Sequence, residues 1–231
     1  MNMELEALLR PPESRMPPYP PKVITLATGK QMVVRQVTRE DIPTILKAVR
    51  PTLDIPRDYY DVVGARTYAE LLGWYRYRVR DHYCLIGQVD GILVGQVNGR
   101  MYTPEIGMSY HTLAIERGLR IGAHLFAAKM EYHLEYLGQS DVWITAESPI
   151  GFRRWMIEYN LTPKEGVQHE LGGASFYVLT RELWEASKPR LCVGDRPVPP
   201  ELLSLAESEI KIANEDTITE QILGAKRRQI R

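Results

Sequence analysis

The chain has 231 residues, enough for one good-sized domain with appendages, and its 44% hydrophobic and 25% charged composition is that of an ordinary globular protein. Lys plus Arg and Asp plus Glu both number 29, so no net field recruits nucleic acid or an anionic membrane, and any anion site must be local. Cys84 and Cys192 form no CxxC or Cys/His cluster, no apolar run approaches the ~18 residues of a membrane span, and no secretory signal opens the chain. A cytoplasmic protein without a metal is expected.

Residues 1–22 hold a short helix-capable piece, Met3 to Leu9, and then three proline pairs, which favour an extended leader. Val23–Leu26 and Met32–Gln36, around Ala27-Thr28-Gly29-Lys30, predict a hairpin. Thr38 with Asp41 three residues on predicts a capping box for a helix carrying Ile42, Ile45, Leu46 and Val49. A second helix is expected over Asp58–Arg80, with Tyr68, Leu71, Leu72, Tyr75 and Val79 as its apolar stripe and Arg66, Glu70, Arg76 and Arg80 mostly off it. Next come Tyr83–Val89 and Ile92–Gly99, joined by Asp90-Gly91, a strong hairpin signal.

A fourth strand from Met108 to Ile115 turns through Glu116–Gly122 into a helix rich in Ala, Leu, Met and Glu. A strand, glycine-bearing turn and helix in this order aim the unpaired N–H groups of the first helical turn outward, where the macrodipole favours a phosphate. Val142–Glu147 reads as a fifth strand, parallel to the fourth because a helix crosses between them. Ser148-Pro149 then reads as N-cap and first residue of a helix to Tyr159. The last β pair is expected as Val167–Glu170 with Ala174–Leu179, turning through Leu171-Gly172-Gly173. Beyond Thr180 the core pattern stops. Lys188-Pro189-Arg190 and 196–200 read as linker, Glu201–Ile212 and Asp216–Ala225 as helices, and Lys226–Arg231 as a basic end.

Arg117-Gly118-Leu119-Arg120-Ile121-Gly122, followed by Ala123 and Leu125, resembles the pyrophosphate motif of the GNAT acyl-CoA-dependent N-acyltransferases: Arg or Gln, two residues, Gly, one residue, Gly or Ala. The phrase IGQVDGILVGQV resembles that family's second and third strands, and the element order matches it over roughly 30–180. The resemblance implies an α/β fold, with a mixed, mostly antiparallel central sheet flanked by helices, whose fourth and fifth strands splay to admit the pantetheine arm. It sets out a leader (1–22), an acyltransferase domain (23–183) and a helical C-terminal extension (184–231).

The activity so implied is transfer of an acetyl or other acyl group from acyl-CoA to an amine on a small molecule or protein. Thr112, Leu113, Arg117, Gly118, Arg120, Ile121, Gly122 and Ala123 would hold the cofactor, with Arg153 or Arg154 near the 3′-phosphate. His111 and Glu147 are the candidate bases, Tyr159 the candidate acid, and Tyr59 and Tyr60, with Asp58 or Asp61, the acceptor wall. Two positions depart from the family: Arg120 replaces the middle glycine, and Met156 stands where a tyrosine acid is usual. A GNAT-fold subunit without catalysis, acting as a scaffold or acyl-CoA sensor and docking as a dimer or in a complex through the extension, is the alternative. A donor such as aminoacyl-tRNA is weaker, for want of a basic face.

Overall fold

The computed structural model describes residues 3–12, 14–169, 172 and 175–224. Its centre is an eight-stranded sheet in the order β1-β2-β3-β4-β5-β6-β8-β7. β1 (Lys22–Thr25), β2 (Gln31–Gln36), β3 (His82–Val89), β4 (Ile92–Met101) and β5 (Ile106–Ala114) form an antiparallel meander. Asp90 and Gly91 sit at φ 52° and 77°, the paired left-handed conformations that a two-residue hairpin matched to strand twist requires.

β3 is buried along its whole length because both sheet faces are covered. Cys84 and Ile86 face α2 (Ile42–Val49) and α3 (Tyr60–Tyr75), while Tyr83 and Leu85 face α4 (Ile121–Glu131). The expected capping box at Thr38 and Asp41 is present ahead of α2. α3 buries Val63, Gly64, Thr67, Leu71 and Trp74, a stripe rotated from the one read off the tyrosines, and it ends at Tyr75 rather than Arg80. Gly64 is required there, since a Cβ would collide with Thr52 Oγ1.

β6 (Asp141–Ala146) runs parallel to β5, joined through α4 and a π turn over Tyr132–Tyr136. Their pairing covers only Ile106↔Asp141 to Ser109↔Ile144, after which the strands separate. α5 (Pro149–Tyr159) starts as expected, with the Ser148 side chain accepting from the Gly151 amide.

Two expectations fail beyond it. β8 (Ser175–Thr180) pairs not with 167–170 but with β7 (Thr162–Lys164), because Val167 packs with Met108, Tyr110 and Phe176 and His169 turns inward to polar partners. Part of the expected 171–173 turn, like the basic end 226–231, lies outside the described residues. Lys188-Pro189-Arg190 is not linker but part of α6 (Arg181–Leu191): Thr180 caps that helix, and the fully buried Trp184 anchors it.

α1 (Met3–Leu8) begins the leader, which docks through Tyr19, whose ring meets those of Tyr132 and Tyr136 at 5.6 Å and whose hydroxyl donates to Glu131. α7 (Pro200–Ser208), shorter than expected, and α8 (Glu215–Gly224) fold back on the sheet and its helices. Ile210, Ile218 and Ile222 lie in the same core as α2 and α3. No helix among the described residues is long and apolar enough to cross a membrane.

Candidate active site

Where β5 leaves β6 it also bulges against β4. Val97 faces Thr112 and Gly99 faces Ser109, so Tyr110 and His111 share one opposing residue, Asn98. A bulge of this kind re-aims side chains and leaves ladder groups unpaired. Here Lys129 of α4, fully buried, donates to the Asn98, Tyr110 and His111 carbonyls at 3.4, 3.4 and 3.1 Å. Burial brings its amine down to about 7.

The bulge delivers His111 into a circuit of side chains. Its Nδ1 lies 3.0 Å from Glu70 Oε2 and its Nε2 lies 2.9 Å from Glu147 Oε2. Glu70 Oε1 is 2.9 Å from His169 Nε2, and His169 Nδ1 is 3.1 Å from Arg66 Nη1. Arg66 Nε closes the loop, 3.0 Å from Glu147 Oε1. Arg66 and Glu70 come one helical turn apart on α3, His111 from β5, Glu147 from just past β6, and His169 from the segment leading to β8.

Burial alone would raise the Glu70 carboxyl, but His111, His169 and Asn98, whose amide donates at 2.6 Å, hold it well below the usual carboxylate range. Burial alone would lower His111, yet the charge of Glu70 and hydrogen bonds to Glu147 and Glu70 raise it to about 9.

Donor atoms on Glu70, His111 and His169 all lie within 4.8 Å of one another, close enough to bracket a metal. Here the same atoms are engaged in hydrogen bonds. Both nitrogens of His111 face carboxylates and so carry protons, and Arg66, which can only donate, leaves the His169 proton on Nε2.

The sequence matches no family model and no curated protein. Solved structures match the fold. An uncharacterized protein from Bacillus halodurans superposes with a TM-score of 0.53 at 10% identity, over 74% of this chain and 95% of that one. FdhC, a nucleotide-linked sugar GNAT, does so with a TM-score of 0.52 at 12% identity, over 76% and 97%. The chain has the GNAT fold.

In the turn over 117–122, Arg120 sits at φ 60° as the N-cap of α4. This is a left-handed conformation natural to the family's glycine, which the arginine adopts at a cost of about 1 kcal/mol. No side chain caps α4, and His124 is the first residue to make an i→i−4 bond, leaving the Ile121, Gly122 and Ala123 amides without helical partners. Gly122 is not demanded by packing: an added Cβ would meet Ala114 and Thr112 at ordinary distances, 3.6 and 3.7 Å. At Gly118, φ 96°, an added Cβ would meet nothing within 4 Å among the described residues. A pocket of about 310 Å³ opens beside this turn, lined by Arg120, Ala123 and His124 with Glu158, Tyr159 and Arg190.

The remaining expected residues are dispersed. Arg117 is held 2.9 Å from Asp58, beside the Ile222 carbonyl of α8 and over the Tyr60 ring. Thr112 and Leu113 pair with Val97 and Gln96 of β4. Tyr60 donates to the Ala114 carbonyl at 2.8 Å, tying α3 to the end of β5, whereas Tyr59 is exposed. Tyr159 is a core residue, edge-on to Phe126 at 5.2 Å, and burial pushes its phenol far up. Met156 packs against the same cluster. Arg154 sits 3.8 Å from Glu158.

His111 and Glu147 are therefore together, while Tyr159 belongs to another cluster. Sequence reasoning missed Arg66, Glu70 and His169. The four-residue spacing of Arg66 and Glu70 beside the buried Thr67 and Leu71 was the available signal; His169 offered none.

Proposed function

We propose that the chain transfers an acyl group, acetyl or another, from acyl-CoA to an amine. The observation that carries this reading is the edge of β5 whose backbone pairing with β6 ends at Ser109, where the Thr145 hydroxyl donates to the Ser109 and Tyr110 carbonyls, and which carries His111, bonded to Glu147. An extended amide-bearing arm can add to such an edge as a strand does, through main-chain hydrogen bonds. Its pyrophosphate then meets the uncapped amides of α4, and its thioester lies against the backbone of His111 to Leu113.

The amine nitrogen attacks the thioester carbon, the C–N bond forms, and the His111–Glu147 pair takes the amine proton. Collapse of the tetrahedral intermediate breaks the C–S bond, and CoA leaves as a thiolate. One proton lost by the amine and one gained by the thiolate leave the pair as it started. Tyr159, packed in the core, is a poor candidate for the acid.

Calorimetric titration with acetyl-CoA, free CoA and 3′-dephospho-CoA, repeated on Gly122→Val, tests the reading. Binding that weakens at least about tenfold in the variant, a loss of ~1.4 kcal/mol, is expected. No binding by any CoA species overturns it. The second reading, an acyl-CoA sensor without turnover, is favoured by the engagement of Arg117 with Asp58 and α8. Tight binding with no thiol release across an amine screen selects it.

A further inference from the structure

His111 and Glu147 are both candidates for the proton acceptor, and the circuit around them distinguishes the two. Arg66 cannot accept a hydrogen bond, so its Nη1 donates to His169 Nδ1, and the proton of the neutral His169 must lie on Nε2, facing Glu70 Oε1. Glu70 Oε2 is left to face His111 Nδ1, and Glu147 Oε2 faces His111 Nε2. Glu70 Oε2 also accepts from the Asn98 amide at 2.6 Å, but an ionised carboxylate can only accept, so His111, bracketed by two of them, donates from both nitrogens.

Glu147 Oε1 differs from every other atom of the circuit. Arg66 Nε balances its charge at 3.0 Å, but no aligned hydrogen bond reaches it, although the side chain is only 7% exposed. A carboxylate oxygen that is buried and charge-balanced yet lacks a donor retains a lone pair to accept one more N–H.

We infer that Arg66, Glu70 and His169 are positioning residues that fix His111 as a doubly protonated imidazolium, so that Glu147, through Oε1, is the group that receives the substrate's N–H proton. The inference rests on the acyl-transfer reading for the identity of that substrate but not for the order of protons.

The groups facing His111 agree with this order. Glu70 and Arg66 approach from α3, Glu147 from the end of β6 and His169 from the segment before β8. Of the other titratable groups nearby, His82 of β3 is kept low by burial, at about 4, and Lys129 of α4 lies against the His111 carbonyl. Tyr110 stacks beside the ring at 6.5 Å. The two carboxylates in direct contact outweigh the rest, consistent with a His111 value near 9.

Long-range proton–nitrogen NMR on histidine-labelled full-length protein reads the order directly. With five histidines in the chain, the His111 signals are identified by their loss in His111→Gln. At neutral pH both His111 nitrogens should appear protonated, and His169 should appear as the neutral Nε2–H form. Glu70→Gln, which keeps the shape but removes one carboxylate, should lower the His111 transition by about one to three pH units. In turnover assays it should introduce a new limb near neutrality in the kcat profile, with KM for acyl-CoA unchanged within about twofold. His169→Gln should lower kcat in the same direction.

A neutral His111 in the wild-type protein at neutral pH overturns the inference, even if Glu70→Gln fails to fold. So does an unmoved His111 transition in a folded Glu70→Gln. If acyl-CoA does not bind while the NMR pattern holds, the acyl-transfer reading fails and the proton order stands.

Discussion

Two regions of the molecule treat polar groups in opposite ways. Around His111, a buried circuit links Arg66, His169, Glu70, His111 and Glu147, and nearly every donor has its acceptor. At the start of α4, three amides have no helical partner, no side chain caps the turn, and the nearest charges stand at the mouth of an open pocket. The difference separates two jobs. A closed network in a low-dielectric setting fixes protons in place, as chemistry requires, whereas unsatisfied amides beside solvent suit a ligand that comes and goes.

Breaking the closed region should have the largest effect. Glu70→Ala leaves the His111 imidazolium with one carboxylate fewer and removes the carboxylate that His169 Nε2 faces, inside the protein. Loss of one partner of a buried pair typically costs about 3–5 kcal/mol. Urea unfolding should show that loss, and a change below about 1 kcal/mol would mean that water replaces the carboxylate.

Lys129→Met attacks the same region from beneath. The bulge carbonyls lose a buried donor, at a cost of about 1–3 kcal/mol. The pH dependence is the sharper readout. Lys129 has a folded value of about 7 against an ordinary 10.5, so the folded state binds fewer protons between them and stability rises with pH there. His111 is raised from 6.5 to about 9, so its contribution is full below 6.5 and is lost as pH rises to about 9. Between about pH 7 and 9 the two slopes oppose each other, and the wild-type urea midpoint should vary little from this pair. In Lys129→Met the rising slope is gone, and the midpoint should fall across that window. A flat profile in the variant would show that His111 is not held protonated by folding.

The sequence reveals the open region better than the closed one, for a physical reason. A helix start is local: Arg120, Ile121 and Gly122 adopt their conformation from neighbours in the chain, so the motif is readable in place. The hairpin at Asp90-Gly91, the capping box at Thr38 and the Ser148-Pro149 helix start are legible on the same ground. The circuit is assembled from four distant segments. His111 and Glu147 could be named because strand ends near a splay are predictable positions, but Glu70 and Arg66 sit on the flank of a stripe only partly read: Leu71 is buried and Tyr68, Leu72 and Tyr75 pack against the core as expected, while Val63, Thr67 and Trp74 are buried beside them. Arg117 shows the converse limit. Its local motif assigns it to a phosphate, but that motif contains no sign that α8 returns to place a carbonyl, with Asp58, against its guanidinium.

The open region can be sharpened with less disruption. Gly122→Ala fills space that is free in the fold, in a helical position where alanine is favoured by about 0.5–1 kcal/mol. The thermal midpoint should rise slightly while acetyl-CoA affinity falls. A rise in both would mean that no ligand approaches the backbone at this point, and that the glycine serves neither packing nor binding.

The smallest expected effect concerns charge at the pocket's edge. Glu158 lies 3.2 Å from Arg120 and 3.8 Å from Arg154, and both arginines are about half exposed. Exposed pairs of this kind are worth under about 1 kcal/mol, so Glu158→Gln should barely move the unfolding midpoint. Its carboxylate nevertheless competes with any incoming phosphate for the same two guanidinium groups. Removing it should tighten acetyl-CoA binding several-fold at low salt, with the gain shrinking as ionic strength rises and the Debye length falls below about 10 Å. The gain should be larger for acetyl-CoA than for 3′-dephospho-CoA if Arg154 meets the 3′-phosphate, and equal for both if only Arg120 is released. Unchanged affinity at every salt concentration would separate this pocket from the ligand path and confine binding to the backbone amides of α4.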